Sequence, residues 1–405
     1  MSPGGEPMSR RGFLQTSAVA LAASAGAANV LRAAEAAVAA SATEPASDRR
    51  IRMGVVGGGF GCAFHWHQDP NCVVEAVSDL RPERRDALSR TYGCEKTYES
   101  LEKLILDPKV EAVAVFTGAP DHVRHVKMVM EAGKHCICAV PAAYTLEECE
   151  ELVEVKERTG LKYMMAETSY YRWPCITARK LHEDGKLGEV VYSEVEYYHP
   201  LTPDERQSLW FWNGKPTWRY GFPPMHYPTH CTGFLVGVTR ERLVEVSCLG
   251  KGDESVPKDN VYHNPFANEV ALFKTDRGSI CRCNVCWGVH AGGERAQWFA
   301  EKGTLYMPGC GGQPYLLTME DGQSFQGDPD YWHLVPETMR IDTGHGASHP
   351  FLTHEFIRAL VEDREPAIDV YESVAMTAPG IVAHESALKG GVQLEVPSFE
   401  RRKGA

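Results

Sequence analysis

The 405-residue sequence predicts two mixed domains: a doubly wound parallel sheet of the α/β class, then an α+β domain with an open, mostly antiparallel sheet. From residue 50 to 166, short apolar runs alternate with helical patterns, as in parallel sheets covered by helices. From residue 167 to 396, several segments alternate apolar and polar residues, as half-buried antiparallel strands do. A glycine-rich turn after the first apolar run supports the first assignment.

The glycine-rich turn lies in residues 52–79, which read as strand, turn, helix, strand and acid. The turn holds Gly57, Gly59, Phe60 and Gly61, and the second strand ends at Asp79. Such a unit places backbone N–H groups against a pyrophosphate, and the acid accepts the ribose hydroxyls of NAD. The arginines at 81, 84 and 85 leave NADP open. The alternative is a glycine-rich turn that binds no nucleotide.

The remaining elements of both domains follow from periodicity. In residues 50–166 we expect helices at 81–92, 101–106, 122–132 and 146–158, and strands at 112–116, 136–140 and 163–166. In residues 167–396 we expect strands at 190–198, 243–248, 269–274, 279–286 and 297–299, and closing helices at 350–362 and 372–389. The alternating strand 279–286 explains its three cysteines better than a metal site does.

Composition restricts the partners. The net charge is −12 and no basic cluster indicates nucleic acid, so we expect a small-molecule ligand. The thirteen cysteines are scattered and often apolar in context, which favours buried free thiols over disulfides.

The first 42 residues resemble a twin-arginine export signal. Residues 9–14 read SRRGFL, and an alanine-rich apolar stretch follows at 18–30, too short for a membrane span. We therefore expect export by the twin-arginine route to the periplasm, a route that carries folded, cofactor-loaded proteins.

Residues 52–396 resemble the Gfo/Idh/MocA oxidoreductases. The resemblance rests on GGGFGCAFH ending at His65, VEAVSD at 74–79, AVFTGAPDH at 114–122, EAGKHCICAVP at 131–141 and GKLGEVV at 185–191. It implies a Rossmann domain that binds NAD(P), with Thr117, His122 and Pro141 in the cofactor site. It also implies oxidation of a sugar or cyclitol by hydride transfer, and a homo-oligomer.

The resemblance also implies a departure in the catalytic set. The family's Glu-Lys-Pro positions are Ala139, Val140 and Pro141 here, so the lysine is missing. Its Asp-x-x-x-His pair corresponds to His226 and His230. Oxidation of an alcohol needs a base, and imidazole titrates near neutral pH. We therefore expect His230 to be the base, assisted by His226, with Glu167 at the domain junction.

Two open alternatives concern the site. On one helix, His226 and His230 would share a face and could bind a metal together, with Glu167, His345 or His349 as further ligands. The preferred interpretation has no metal. The aromatic stretch 197–227 indicates a carbohydrate site, for which Tyr171, Arg172, Trp218 and Tyr227 are the candidate substrate residues, or else an oligomer interface.

Three functions are compatible with this sequence. The first is an NAD-dependent oxidoreductase acting on a sugar or cyclitol. The second is a glycoside hydrolase or lyase that uses tightly bound NAD transiently or a metal at the histidines. The third is a catalytically inactive sugar-binding protein, for which Val140 is the main argument.

Overall fold

The computed structural model describes residues 48–308, 315–322, 324–327 and 330–400. The predicted signal segment, residues 1–42, lies outside the described residues. Within the described ranges, no helix is both long enough and apolar enough to cross a membrane. The described cysteines are all free, and all but Cys62 are buried, which confirms the thiol prediction.

The first domain contains a six-stranded parallel sheet in the order β3-β2-β1-β4-β5-β6. Its strands are β1 Ile51–Val56, β2 Cys72–Ser78, β3 Thr97–Tyr98, β4 Ala112–Val115, β5 His135–Cys138 and β6 Tyr163–Met165. Its helices are α1 Pro82–Tyr92, α2 Leu101–Leu104, α3 His122–Glu131 and α4 Leu146–Thr159. Because helices cover both faces, the central strands are apolar on both sides, and every residue of β4 is buried. The prediction of a doubly wound sheet is confirmed.

The segment after the glycine-rich turn differs from the prediction. Instead of an α-helix, two 3₁₀ turns occupy Gly61–Phe64 and Trp66–Gln68, separated by His65 in a left-handed conformation. Phe64 and Trp66 are fully buried, and the Thr353 hydroxyl donates a hydrogen bond to the Phe64 carbonyl. Tertiary packing of two adjacent large rings has therefore overridden helical periodicity.

The second domain contains a nine-stranded sheet in the order β16-β15-β14-β13-β7-β12-β11-β10-β17. Among the described residues, β7 and β12 are the one pair of this sheet that is parallel; the other pairs are antiparallel, so the α+β prediction is confirmed. The strands are β7 Val190–Tyr198, β10 Leu243–Lys251, β11 Asn268–Thr275, β12 Ile280–Cys286, β13 Gly293–Ala300, β14 Gly303–Tyr306, β15 Leu316–Met319, β16 Ser324–Gln326 and β17 Leu394–Glu395. The helices and the small hairpin are α5 Trp173–Glu183, α6 Pro203–Trp210, β8 Phe211–Trp212, β9 Lys215–Pro216, α7 Thr229–Thr239, α8 His349–Val361 and α9 Val370–Leu388.

Helix α9 connects the two hydrophobic cores. Val374 and Met376 in its first half belong to the core around the parallel sheet, and Val382 and Ala387 in its second half belong to the core of the second sheet. Helix α7 is buried along its whole length; its Val236 belongs to the first core, and its Phe234 and Leu235 belong to the second. The candidate functional site lies near these two helices and the carboxyl ends of the parallel strands.

Candidate active site

The glycine-rich turn opens onto a cavity of about 670 Å³ at the carboxyl ends of β1, β2 and β4. Gly57, Asp79, Arg84 and Thr117 line this cavity. Gly57 has φ +100°, and a Cβ atom there would lie 2.1 Å from the Phe116 carbonyl oxygen, so only glycine fits. The turn therefore keeps its backbone bare and open to a ligand.

Asp79 both orders the turn and faces the cavity. Its carboxylate accepts hydrogen bonds from the Gly58 amide at 2.7 Å and the Arg81 amide at 2.8 Å. A carboxylate has about four acceptor positions, so two remain for ribose hydroxyls. NAD fits this site, because the turn exposes its backbone, the cavity is large enough for a nucleotide, and an acid follows the second strand.

Gly59, Phe60 and Gly61 support the turn without lining the cavity. The Gly61 amide donates to the Gly57 carbonyl at 2.9 Å, and a Cβ at Gly61 would press on the Phe116 ring. A Cβ at Gly59 would lie 3.1 Å from the Arg84 guanidinium. Phe60 packs edge-on against the rings of His345 and His349.

His122 connects two loops beneath the cavity. The ring is buried, with Nδ1 2.7 Å from the Pro141 carbonyl oxygen and Nε2 3.3 Å from that of Thr117. Burial lowers its pKa despite these hydrogen bonds. His122 and Pro141 thus hold the loop in place, whereas Thr117 lines the cavity itself.

His230 and Glu167 form a buried pair at the domain junction. Nδ1 of His230 lies 2.9 Å from Oε1 of Glu167, an oxygen that also accepts from the Ser169 amide. Because a carboxylate only accepts, Nδ1 carries the proton and Nε2 is left for a reactant. Burial lowers the pKa of His230, but the charge and hydrogen bond of Glu167 outweigh it and raise the pKa above its usual value. Burial likewise raises the pKa of Glu167, and His230 brings it below the usual value.

Aromatic and charged groups surround this pair. The ring centroids of Tyr197 and Tyr227 lie 4.6 and 5.3 Å from that of His230. A cavity of about 480 Å³ lies alongside, with Arg172, Tyr197, His199, Glu294 and His345 among its lining residues. Arg172 forms an ion pair with Glu294 at 2.9 Å. The cavity thus offers an acidic group, a cationic group and an aromatic face, and the His230–Glu167 pair lies directly behind its residues Tyr197 and His345.

The other predicted substrate residues do not all line a cavity. Trp218 and Tyr227 line a smaller aromatic cavity of about 70 Å³, next to the one just described. Trp218 also lines the nucleotide cavity, so it lies between the two sites. Tyr171 packs on Tyr170 and Phe351 and lines none of these cavities.

His226 is separated from His230 although the two are four residues apart. It ends the 3₁₀ turn Pro224–His226, and α7 begins only at Thr229, so the two histidines do not share a helix face. The His226 ring packs on Tyr144 and His384 at centroid distances of 4.5 and 5.0 Å. Burial and the neighbouring His384 lower its pKa to about 3. The expected acid–base partnership of His226 with His230 is therefore not seen.

The metal alternative gains no support from this geometry. Within the part of the chain that the structure describes, no three His, Cys, Asp or Glu side chains are grouped as metal ligands.

Sequence reasoning missed Glu294 and His199. Glu294 opens β13 in an unremarkable alternating segment, and His199 follows β7, so neither carries a motif. Only the pairing of β13 with β7, Glu294 opposite Tyr197, brings them to the cavity.

Three family models match successive parts of the chain. Residues 51–167 match the oxidoreductase family with an NAD-binding Rossmann fold. Residues 175–306 match the GFO/IDH/MocA C-terminal domain. Residues 319–404 match the C-terminal domain of glycosyl hydrolase 109.

Individual relatives have low sequence identity to this chain. A glycosyl hydrolase family 109 protein of Solibacter usitatus is 26% identical over 75% of this chain and 74% of its own. An alpha-N-acetylgalactosaminidase of Tannerella forsythia is 24% identical over 88% of this chain and 87% of its own. Levoglucosan dehydrogenase, solved with NADH and levoglucosan, has a TM-score of 0.73 at 17% identity, covering 87% of this chain and all of that one. At that identity, the structural likeness establishes the fold.

Proposed function

The chain belongs to the Gfo/Idh/MocA family of NAD-binding oxidoreductases, and we propose that it transfers hydride between NAD and a carbon of a sugar or cyclitol. The observation that carries this proposal is the buried His230–Glu167 pair beside the cavity of about 480 Å³. NAD supplies the hydride acceptor when it is bound.

The chain's own residues supply the proton chemistry. Nε2 of His230 accepts the proton of a substrate hydroxyl, while Glu167 holds Nδ1–H and stabilises the imidazolium that results. Val140 is buried and has no group that could exchange a proton, so the base lies elsewhere, and we assign it to His230 on α7. The enclosed position of the pair excludes water from the proton transfer.

The lining of the cavity supports a carbohydrate ligand. Tyr197 offers an aromatic face for the C–H face of a sugar ring, and Arg172, His199 and Glu294 offer polar groups for its hydroxyls. The polar groups come from three different elements, which together fix the orientation of a polyol.

The first test is on the purified full chain. We expect released NAD(H) at about one equivalent, and a change in 340 nm absorbance when a panel of sugars and cyclitols is added. H230A should abolish that change while nucleotide is still bound. Nucleotide-free protein, or undiminished turnover in H230A, would refute the proposal.

A second candidate is a glycoside hydrolase that uses its resident NAD transiently. The match of residues 319–404 to a glycosyl hydrolase 109 domain, and the names of two relatives, favour it. It predicts release of nitrophenol from nitrophenyl α-N-acetylgalactosaminide without net change at 340 nm. The oxidoreductase proposal predicts a net change and no release.

We also propose export by the twin-arginine route. The support is the SRRGFL pattern at residues 9–14 and the alanine-rich stretch that follows. Replacing Arg10 and Arg11 together by lysine should retain the protein in the cytoplasmic fraction, whereas the unchanged chain should be found in the periplasm.

We further propose a homo-oligomer formed through the outer face of the nine-stranded sheet. Leu249, Val270, Leu272 and Ile280 are exposed on three adjacent strands; Leu249 and Val270 are directly opposite each other, and Leu272 follows Val270 on the same face of β11. Exposed apolar residues grouped on one face typically mark an interface. L272E should shift the mass measured by light scattering to that of a monomer.

A further inference from the structure

The nucleotide cavity has a second wall that comes from the second domain. Residues 203–219, the cover segment, comprise α6, the β8–β9 hairpin and the turn after it. One side of the cavity is formed by the first domain, including Asp79 and Arg81 after β2 and Arg84 on α1. The facing side is formed by the cover segment through Ser208, Leu209, Trp212, Asn213, Lys215 and Thr217.

The cover segment touches the first domain at two places. The Arg81 guanidinium lies 4.4 Å from the centroid of the Trp212 ring, a cation–π contact. The Arg81 amide is in turn fixed by the Asp79 carboxylate. At the other end, a Cβ on Gly118 would lie 2.7 Å from the Trp218 ring, so that ring rests directly on the loop after β4.

Internal contacts give the cover segment its shape. Thr202 and Glu205 form a capping box at the start of α6, and the Thr217 amide donates to the Trp210 carbonyl at 2.7 Å. No residue of α6 is buried. A segment with internal hydrogen bonds and little buried apolar surface opens as a unit at low cost.

We propose that the cover segment completes the nucleotide site and that the Trp212–Arg81 contact determines how long NAD stays bound. A ligand held between two walls is released faster when one wall moves, and the cover segment, whose helix α6 has no buried residue, is the wall with the weaker attachment. Opening breaks the Trp212–Arg81 contact, so this contact acts on the dissociation rate. The inference needs only a bound nucleotide and does not depend on which sugar reaction follows.

The test is stopped-flow release of NADH fluorescence, with excess NAD as the chase, on the full chain and two variants. W212A should release NADH about threefold to thirtyfold faster, the range that one cation–π contact supports. W210A is the matched control, since Trp210 lies on the same segment but stacks on Arg206 at 5.5 Å. W210A should release NADH within about twofold of the unchanged chain.

Three further results decide the inference. W212Y should show an intermediate rate, because a tyrosine ring keeps part of the cation–π contact. In a double-mutant cycle, W212A and R81A should be less than additive in the dissociation rate, which separates their contact from any contact of Arg81 with nucleotide. Melting temperatures measured alongside identify a variant that fails to fold, and W212Y then carries the test.

Equal acceleration in W210A and W212A, or no acceleration in W212A, would overturn the inference. Turnover of sugar is measured separately at 340 nm. A chain that turns over no sugar but shows this pattern of NADH release would refute the proposed reaction and support the cover segment. Normal turnover with unchanged release in W212A would refute only the cover segment.

Discussion

His226 and His230 are four residues apart and almost equally buried, at 8% and 4% exposed, yet the structure gives them opposite acid–base properties. His230 contacts a carboxylate, and its pKa lies above the usual value. His226 faces aromatic rings and another histidine, and its pKa falls to about 3. Burial alone therefore does not fix the direction in which the pKa of a histidine moves; the charge of its partner decides.

The carboxylate near His226 is already engaged. Oε1 of Glu269 lies 2.8 Å from Nδ1 of His384, and Oε2 accepts from the Met225 amide at 2.8 Å. Nδ1 of His226 is buried without a hydrogen-bond partner among the described residues. One segment thus carries a base on one side and a packing residue on the other.

The largest expected effect comes from removing the base. H230A should lower kcat for sugar oxidation by about 10²- to 10⁴-fold, the usual contribution of a general base. Steady-state kinetics at saturating NAD, with bound nucleotide quantified, measure it. An H230A enzyme with full activity would contradict the assignment.

Next comes the carboxylate that raises the pKa of the base. E167Q should lower kcat by about ten- to a hundredfold, the range typical when a group orienting an imidazole is lost. A base must be neutral to accept a proton, so in the unchanged enzyme activity rises with pH through a value above the usual histidine pKa. Without the charge of Glu167, burial lowers the pKa of His230, so the acid limb of the kcat/KM profile should move to lower pH. An unmoved limb would separate Glu167 from His230.

Substitution of Glu269, near His226, should lower stability and leave activity unchanged. E269Q keeps the shape but removes a charge that holds the Met225 amide and His384. We expect it to lower the free energy of unfolding by about 1–3 kcal/mol, as for weakened buried hydrogen bonds to a charged group. Denaturant titration measures this loss, and kcat of the folded fraction should stay within about twofold. A large loss of kcat at unchanged stability would place Glu269 in the reaction.

The smallest effect should come from His226 itself. H226L removes a buried polar atom that has no partner, so the free energy of unfolding should change by about 1 kcal/mol or less. The pH profile should stay unchanged, because a group with pKa near 3 does not titrate in the working range. A hundredfold loss of kcat would break the contrast between the two histidines.

Much of the fold followed from local sequence pattern. Alternation of strands and helices up to Met165 identified the parallel sheet, and period-2 strands identified the second sheet. The prediction of a helix after the glycine-rich turn was wrong. Phe64 and Trp66 are both buried, and residues two apart in a helix do not point to the same face.

The site was predictable only in part. Glu167 and His230 were predicted from their positions at the domain junction and in a histidine motif, and the structure brings them into contact at 2.9 Å. The prediction that His226 and His230 share a helix face was wrong. The backbone at Tyr227 is not helical and Pro228 precedes α7, so the turn that ends at His226 is not continuous with the helix of His230. Glu294 is brought in by pairing of β13 with β7, opposite Tyr197 and nearly a hundred residues away in the chain, which no local pattern reports.

One turn of α9 sets the relative position of the two halves of the active site. The Thr377 hydroxyl accepts from the Ala142 amide, next to the nucleotide loop, and the carbonyl of the preceding Met376 accepts from the Thr232 hydroxyl on the helix of the base. Met376 and Thr377, which are adjacent, thus position the loop beside the nucleotide cavity and the helix of His230 relative to each other. Grafting either half onto a foreign partner would lose both hydrogen bonds and with them this shared reference point.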